Sequence, residues 1–296
     1  MRRIGLLVLS AVLLGSAVFW QVTMPARLGE TALEGLTGDA ARGQAVFTAA
    51  GCASCHMGPG AADEAELILA GGQAFASDFG TFYAPNISPD AVAGIGGWSA
   101  LDLANALWRG VSPEGAHYYP ALPYWSYSRM TGQDLVDLYA YLQSLPADAT
   151  ASRAHEVGFP FNIRRLLGGW KFLNMAPDFV ITGDLTEAES RGRYIAEALA
   201  HCGECHTPRN AIGGLDTARW LAGAPTADGK GKVPNITPAA LNWSEDEIVE
   251  YLTSGFTPEF DSVGGHMAHV VDNMARLPES DRRAIAAYLK KVPPVQ

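Results

Sequence analysis

The chain is short of cysteine, of basic charge and of strand-forming stretches. Only four cysteines occur in 296 residues. All four fall inside two pentapeptides, Cys52-Ala53-Ser54-Cys55-His56 and Cys202-Gly203-Glu204-Cys205-His206. No thiol is left for a structural disulfide or for nucleophilic catalysis. Lys and Arg number 21 against 31 Asp and Glu, a net charge of −10, and there is no long basic run. That balance argues against a nucleic-acid partner and for docking to a positively charged patch on a protein. The period-two alternation of half-buried strands is scarce throughout, which points to an all-α chain.

Both pentapeptides read C-x-x-C-H, the attachment pattern of c-type haem. Two thiols add to the two vinyl groups along one haem edge, and the adjacent histidine lies under the iron as its first axial ligand. A zinc ribbon would bring its second C-x-x-C about 15–20 residues on, whereas these motifs lie 150 residues apart. A thioredoxin-like redox pair would need a strand-rich βαβ context, which is missing. Cys52, Cys55, His56, Cys202, Cys205 and His206 are therefore the expected attachment residues for two covalently bound haems c.

The amino terminus begins with Arg2 and Arg3, and Ile4 to Val22 is apolar apart from Ser10, Ser16 and Gln21, with glycines at Gly5 and Gly15. Such a stretch approaches the ~20 residues of a spanning helix. The preceding arginines keep the start in the cytoplasm and send the rest outward. A cleaved signal peptide is the rival reading, with small residues at Gly15-Ser16-Ala17. The apolar run continues past them through Val18, Phe19 and Trp20, which favours an uncleaved membrane anchor. Either way the chain is exported, to where bacteria attach haem covalently. The expected location is the bacterial cytoplasmic membrane, with the haem domains in the periplasm.

The remaining length suits two domains of common size, and the chain repeats itself. Asp39 and Thr186 are candidate N-caps of helices that carry Arg42-Gly43 and Arg191-Gly192 and run to the two haem motifs. A Gly-rich loop follows each motif, then Pro85-Asn86-Ile87-Ser88-Pro89 or Pro234-Asn235-Ile236-Thr237-Pro238. Short helices follow, marked by Trp98 and Trp243. Each half closes on a periodic helix: Leu135, Leu138, Tyr139 and Leu142 in one, Ile285, Tyr288 and Leu289 in the other. These helices stop before Pro146 and Pro293. The expected organisation is an anchor over 1–30, haem domains over 31–146 and 184–296, and a linker over 147–183. The linker holds Phe159-Pro160-Phe161-Asn162-Ile163-Arg164-Arg165, then Leu166, Leu167, Trp170, Phe172 and Leu173. It reads as a short amphipathic helix packed across the domain junction; the alternative is a surface that touches the membrane or a partner.

Each iron needs a sixth ligand, and methionine raises the potential. In the second half Met267 follows Gly264-Gly265, with His266, His269 and Met274 as rivals. In the first half Leu122 stands where a ligand methionine would be expected. Met130 is favoured there over His117 or an open position, although alignment of the closing helices pairs it with Leu277, a core position. Met57 adjoins the proximal histidine and cannot reach the far face.

These phrases together resemble bacterial di-haem cytochromes c related to the cytochrome subunits of membrane alcohol and gluconate dehydrogenases. The resemblance rests on both C-x-x-C-H motifs, Pro85-Asn86-Ile87, Tyr119-Pro120-Ala121-x-Pro123-Tyr124, Phe159-Pro160-Phe161-Asn162-Ile163-Arg164 and Gly264-Gly265-x-Met267. It spans nearly all of the chain past the anchor. It implies two tandem cytochrome c domains and periplasmic electron transfer beside a dehydrogenase, ending at a quinone, another cytochrome or a terminal oxidase. It carries over His56 and His206 as proximal ligands and Met267 as a distal one. Two departures stand out: the alcohol dehydrogenase subunits have a third haem, and they read Met where this chain has Leu122.

By analogy with small cytochromes c, a carbonyl of Pro85 or Pro234 would accept the proximal histidine N–H and fix its ring. Asn86 and Asn235 are either propionate donors or turn residues. Arg109 and Arg209 are either propionate partners or solvated charges. The leading function is an electron relay without bond chemistry on a substrate. The alternative is a di-haem enzyme, peroxidase-like or thiosulfate-oxidising, with a labile sixth position at the first haem. His117 is its only candidate base, and no cysteine remains for a thiolate ligand. A subunit serving mainly as a membrane tether would not need two intact haem motifs.

Overall fold

Helix α1 (Arg2–Val22) stands away from the rest of the chain. The computed structural model describes residues 2–227 and 229–296. Met1 of the expected anchor and Asp228 of the expected second domain lie outside them. From Arg3 to Val22, α1 is long and apolar enough to cross a membrane, and none of that window is buried against protein. Its end, by contrast, is built into the fold. Thr23 is 1 % exposed; its Oγ1 accepts a hydrogen bond from Arg165 Nε at 2.8 Å and donates to Phe19 O at 2.7 Å. Arg165 also donates to Trp20 O at 2.6 Å and stacks 4.1 Å over the Trp20 ring.

The first half starts with α2 (Ala40–Ala49), capped as expected by Asp39, whose carboxylate accepts from Ala41 N and Arg42 N. Gly51, at φ 63°, makes the left-handed turn into α3 (Cys52–His56). Helix α4 (Ala100–Ala104) runs on as a π-turn over Asn105–Arg109. The short α5 (Tyr124–Tyr127) leads to the closing helix α6 (Gly132–Leu142). Helices α2 and α6 cross tightly at Gly43, where a β-carbon would lie 2.0 Å from Asp137 O. Arg42 Nε donates to the buried Asp137 carboxylate at 2.7 Å, which also accepts from Asp39 N and Gln133.

Helix accounts for most regular structure, yet the chain is not purely α. Strands β1 (Ala74–Ser77) and β2 (Gly80–Tyr83) form an antiparallel hairpin in the loop after the first motif. Residues Glu156–Val157 of the linker add β3 to its edge. A second pair, β4 (Ala224–Pro225) and β5 (Lys232–Val233), lies in the matching loop of the second half. Strands of two to four residues are too short to display a period, and β3 joins from far along the chain.

The linker contains α7 (Leu166–Asn174). One face packs across the junction as expected. Gly168 abuts Thr23, Trp170 Nε1 donates to Ile212 O at 2.8 Å, and Trp125 Nε1 donates to Asn174 O at 3.1 Å. The other face does not: Phe172 is 72 % and Leu173 69 % exposed. The apolar content of 159–173 is thus only partly core.

In the second half, α8 (Glu187–Tyr194) opens on a Thr186–Glu189 capping box and continues as a π-turn over Ile195–Leu199 towards α9 (Gly203–His206). Helices α10 (Glu245–Ser254), α11 (His266–Ala275) and α12 (Glu279–Lys291) follow. Gly192 lets α8 cross α12 as Gly43 lets α2 cross α6: a β-carbon there would lie 1.8 Å from Ala284 O. The sequence repeat is therefore also a repeat of helix crossings.

The halves reach across to one another. Helix α11 of the second lies against α2 of the first, and α5 of the first against the π-turn 195–199. Trp125 meets Trp220 at 5.7 Å between ring centroids, and Tyr127 meets His201 at 5.7 Å. Asn273 Nδ2 donates to Ser54 Oγ at 2.8 Å. One continuous buried core runs through both halves.

Candidate functional site

The two C-x-x-C-H pentapeptides adopt the same local arrangement. In each, the first cysteine starts or precedes a single helical turn that ends at the histidine. His56 Nδ1 lies 2.8 Å from Pro85 O, and His206 Nδ1 lies 2.9 Å from Pro234 O. A carbonyl can only accept, so both rings carry their proton on Nδ1 and present Nε2 as a bare lone pair. Proline suits the position because it offers a carbonyl without a competing N–H. Burial lowers the pKa of both imidazoles, with the proline contact opposing it, which favours the neutral, metal-binding form. Gly71 and Gly223 let the following loop return close to these prolines. Their backbone N–H groups donate to His56 O and His206 O at 2.7 Å each.

None of the four cysteines is in a disulfide. Burial pushes Cys52 up to about 12, with Cys55 adding to it. It pushes Cys55 to about 11, with Cys205 as the second cause, and Cys202 to about 12. Protonated thiols of this kind are not the low-pKa nucleophiles of cysteine enzymes. Paired with a neutral imidazole whose Nε2 is free, they form the donor set that a covalently attached haem requires. Tyr127 bridges the surroundings of both motifs: its hydroxyl donates to Ala50 O, just before Cys52, and its ring meets His201, just before Cys202. Among the described residues there is no cluster of three or more His, Cys, Asp or Glu that could hold a bare metal ion.

The expected distal residues occupy different settings. Met267 lies in the first turn of α11, half-buried against the core, behind Gly265 at φ 59°. Its rival His266 is exposed, with its ring against Phe75 of the first half, and Met274 is core at 2 % exposed. Met130 is 4 % exposed and precedes α6 as Leu277, 6 % exposed, precedes α12. Leu122 is half-buried against the same core. Both ring nitrogens of the buried His117 have protein partners. Its Nε2 donates to Thr23 O at 3.0 Å and its Nδ1 accepts from Lys171 Nζ at 3.1 Å.

For the asparagines the structure shows the turn role of the two expected. Asn86 is a closing residue: its Nδ2 donates to Asp148 O and Thr150 O, and its Oδ1 accepts from Ser88 N. Asn235 does the same with Val295 O and Thr237. Each ties its Pro-Asn turn to the end of its own half, Asn86 with both amide N–H groups and Asn235 with one. Arg209 braces the second motif, donating to Glu204 O at 3.0 Å and pairing with the Glu204 carboxylate at 2.6 Å. Arg109 has an exposed side chain.

One group went unread in the sequence. Glu197, fully buried in the π-turn before Cys202, accepts from Tyr288 OH at 2.7 Å, Val180 N at 2.6 Å and Ile181 N at 3.1 Å. Burial raises its pKa, and these donors oppose the rise. Tyr288 OH in turn accepts from Trp220 Nε1 at 2.9 Å. The Trp220 ring abuts Gly203, where a β-carbon would fall 2.0 Å from it. The available signal was a single carboxylate inside the apolar run Ile195-Ala196-Glu197-Ala198-Leu199.

Comparison with known proteins agrees with this geometry. The model of the cytochrome c family matches residues 40–146. The chain is 53 % identical, over its whole length and the whole of the relative, to a "Diheme cytochrome c-type" protein of Cereibacter sphaeroides. It is 37 % identical to the fructose dehydrogenase cytochrome subunit of Gluconobacter japonicus, over 85 % of this chain and 52 % of that one. To the cytochrome c subunit of the quinone alcohol dehydrogenase of Gluconobacter oxydans it is 33 % identical, over 86 % and 55 %. The chain spans about half the length of those two dehydrogenase subunits.

Proposed function

This chain belongs to the di-haem c-type cytochromes, and from that premise we propose that it relays single electrons through two covalently attached haems in tandem cytochrome c domains, 31–146 and 184–296. Cys52, Cys55 and His56 would hold one haem, and Cys202, Cys205 and His206 the other. Met267 would complete the second site and Met130 the first, since His117 is spent on Thr23 and Lys171. A bound haem supplies a one-electron couple tuned by axial ligand, hydrogen bonding and burial. The chain supplies the rest. Pro85 O and Pro234 O hold each histidine ring in one tautomer and orientation, and the shared core packs the two halves against one another. The observation that carries the reading is the duplicated histidine–proline geometry beside paired thiols.

The relatives named for fructose and alcohol dehydrogenases support a dehydrogenase or quinone-linked donor, with another cytochrome or a terminal oxidase as acceptor. The net charge of −10 supports a basic docking patch on a partner. Retention of α1 as a membrane anchor, with the haem domains in the periplasm, is supported by an apolar span from Arg3 to Val22 that runs on past the small residues at 15–17. The enzyme alternative loses its one candidate base, because both ring nitrogens of His117 are engaged.

The test is spectroscopic. The purified holoprotein should contain two c-type haems per chain, both low-spin when oxidised and both slow to bind cyanide. A high-spin haem that binds cyanide or peroxide rapidly would overturn the relay and favour the enzyme.

A further inference from the structure

Among the described residues, half of the large apolar side chains exposed beyond α1 fall within residues 159–173: Phe159, Phe161, Ile163, Leu166, Phe172 and Leu173. The remainder are scattered. On α7, Leu166 and Phe172–Leu173 recur at helical spacing along the outer face. The inner face is spent on polar contacts: Lys171 Nζ donates to Arg109 O and Gly110 O at 2.6 Å each and to His117 Nδ1. The helix therefore cannot roll to hide its apolar side without breaking these bonds.

Its position is fixed with equal firmness. Arg165, the residue before α7, is bound to Thr23 Oγ1, to Trp20 O and to the face of Trp20. Gly168, one turn on, lies against Thr23 backbone. The first turns of α7 thus touch the last turn of α1. At 1.5 Å per residue, Phe172 and Leu173 stand about 10–12 Å from that contact along the helix. Trp20 and Arg165 are the aromatic and basic side chains that favour the level of lipid headgroups. An amphipathic helix with its apolar face outward belongs at that same level.

We propose that 159–173 forms a second membrane contact, in which α7 and the Phe159–Ile163 loop lie in the lipid interface beside the exit point of α1. This rests on the reading of α1 as a retained anchor. With α1 alone the haem domains would swivel about one chain; with α7 seated in the interface, they would take a single orientation to the bilayer. The occupant is lipid rather than a partner protein because the patch is continuous with the end of the spanning segment.

The experiment uses the full-length holoprotein in vesicles of phosphatidylethanolamine and phosphatidylglycerol. These contain a trace phospholipid with a photoreactive diazirine at the glycerol end of its acyl chain. After irradiation, labelled peptides are mapped by mass spectrometry. Label on both α1 and 159–175 is the expected result. Phe172→Ser combined with Leu173→Ser changes only exposed positions and should strip most label from 159–175, leaving α1 labelling and the haem spectrum unchanged. Label on α1 but none on 159–175 overturns the inference and leaves the patch to a protein partner. A chain that washes off the vesicles without label overturns the anchor reading as well.

Discussion

The helix crossings at Gly43 and Gly192 offer the sharpest test of how this fold places its two motifs. Replacing Gly192 by alanine would set a β-carbon 1.8 Å from Ala284 O, short of the 3.4 Å of ordinary contact by 1.6 Å. The obstacle is a backbone carbonyl in α12, which cannot rotate aside, so the α8–α12 crossing must open by most of that distance. Overpacking of this kind costs about 1–3 kcal/mol. Alanine would recover up to about 1 kcal/mol through its better helix propensity. The net expectation is a loss of roughly 1–2 kcal/mol, seen as a melting point lower by roughly 2–8 °C. Gly43→Ala, with its β-carbon 2.0 Å from Asp137 O, should behave alike. Gly158→Ala, where nothing lies within 4 Å, is the control. The two variants should differ in which centre responds. Helix α8 runs through its π-turn to Cys202, so Gly192→Ala should shift the potential and spectrum of one haem; α2 runs into Cys52, so Gly43→Ala should shift the other. Guanidinium unfolding followed by circular dichroism and by the haem band, with redox titration of each variant, gives both readouts. A Gly192→Ala protein as stable as wild type, or more so, would refute the reasoning.

Tyr288→Phe removes a donor from Glu197 and an acceptor from Trp220; the expected loss is about 1–3 kcal/mol in denaturant titrations, and a change below about 0.5 kcal/mol would show that both groups find other partners. Met267→Leu and Met130→Leu should each abolish the sulfur-to-iron absorption of one oxidised haem, and a variant that keeps its full low-spin spectrum removes that methionine from the ligand set. Asp137 gives a pH test. Burial alone would raise its pKa, but Arg42, Asp39 N–H and Gln133 outweigh that and hold it below the usual carboxylate range. A depressed folded value means that the stabilisation is present above the ordinary carboxylate pKa of about 4 and is lost as the pH falls through the folded value. Asp137→Asn should therefore lower the urea midpoint at neutral pH, by an amount that shrinks in acid; a difference independent of pH counts against the pairing.

Much of this was legible because the chemistry is local. The pentapeptides and the caps at Asp39 and Thr186 lie within short stretches whose spacing is itself the signal, while the proline carbonyls behind each histidine were expected by analogy with small cytochromes c. The partners of His117, Asn86 and Asn235 were not legible, because Thr23, Asp148 and Val295 are remote in sequence. The hairpin at 74–83 is too short to show a period, and β3 reaches it only through tertiary contact. The linker illustrates a subtler limit. Apolar residues at helical spacing reveal one amphipathic face, but the pattern is the same whether that face meets protein or lipid. Only the anchoring of Lys171 and Arg165 tells which way α7 is turned.

The reach of α11 across to Ser54, and of α5 across to the turn before Cys202, also ties the two motifs into one mechanical unit. Each motif is braced in part by the opposite half: Ser54 accepts from Asn273 of α11, and the turn before Cys202 rests against α5. Neither half can therefore be cut away without removing a support of the other's motif, so an isolated half should hold its pentapeptide less firmly than the whole chain does.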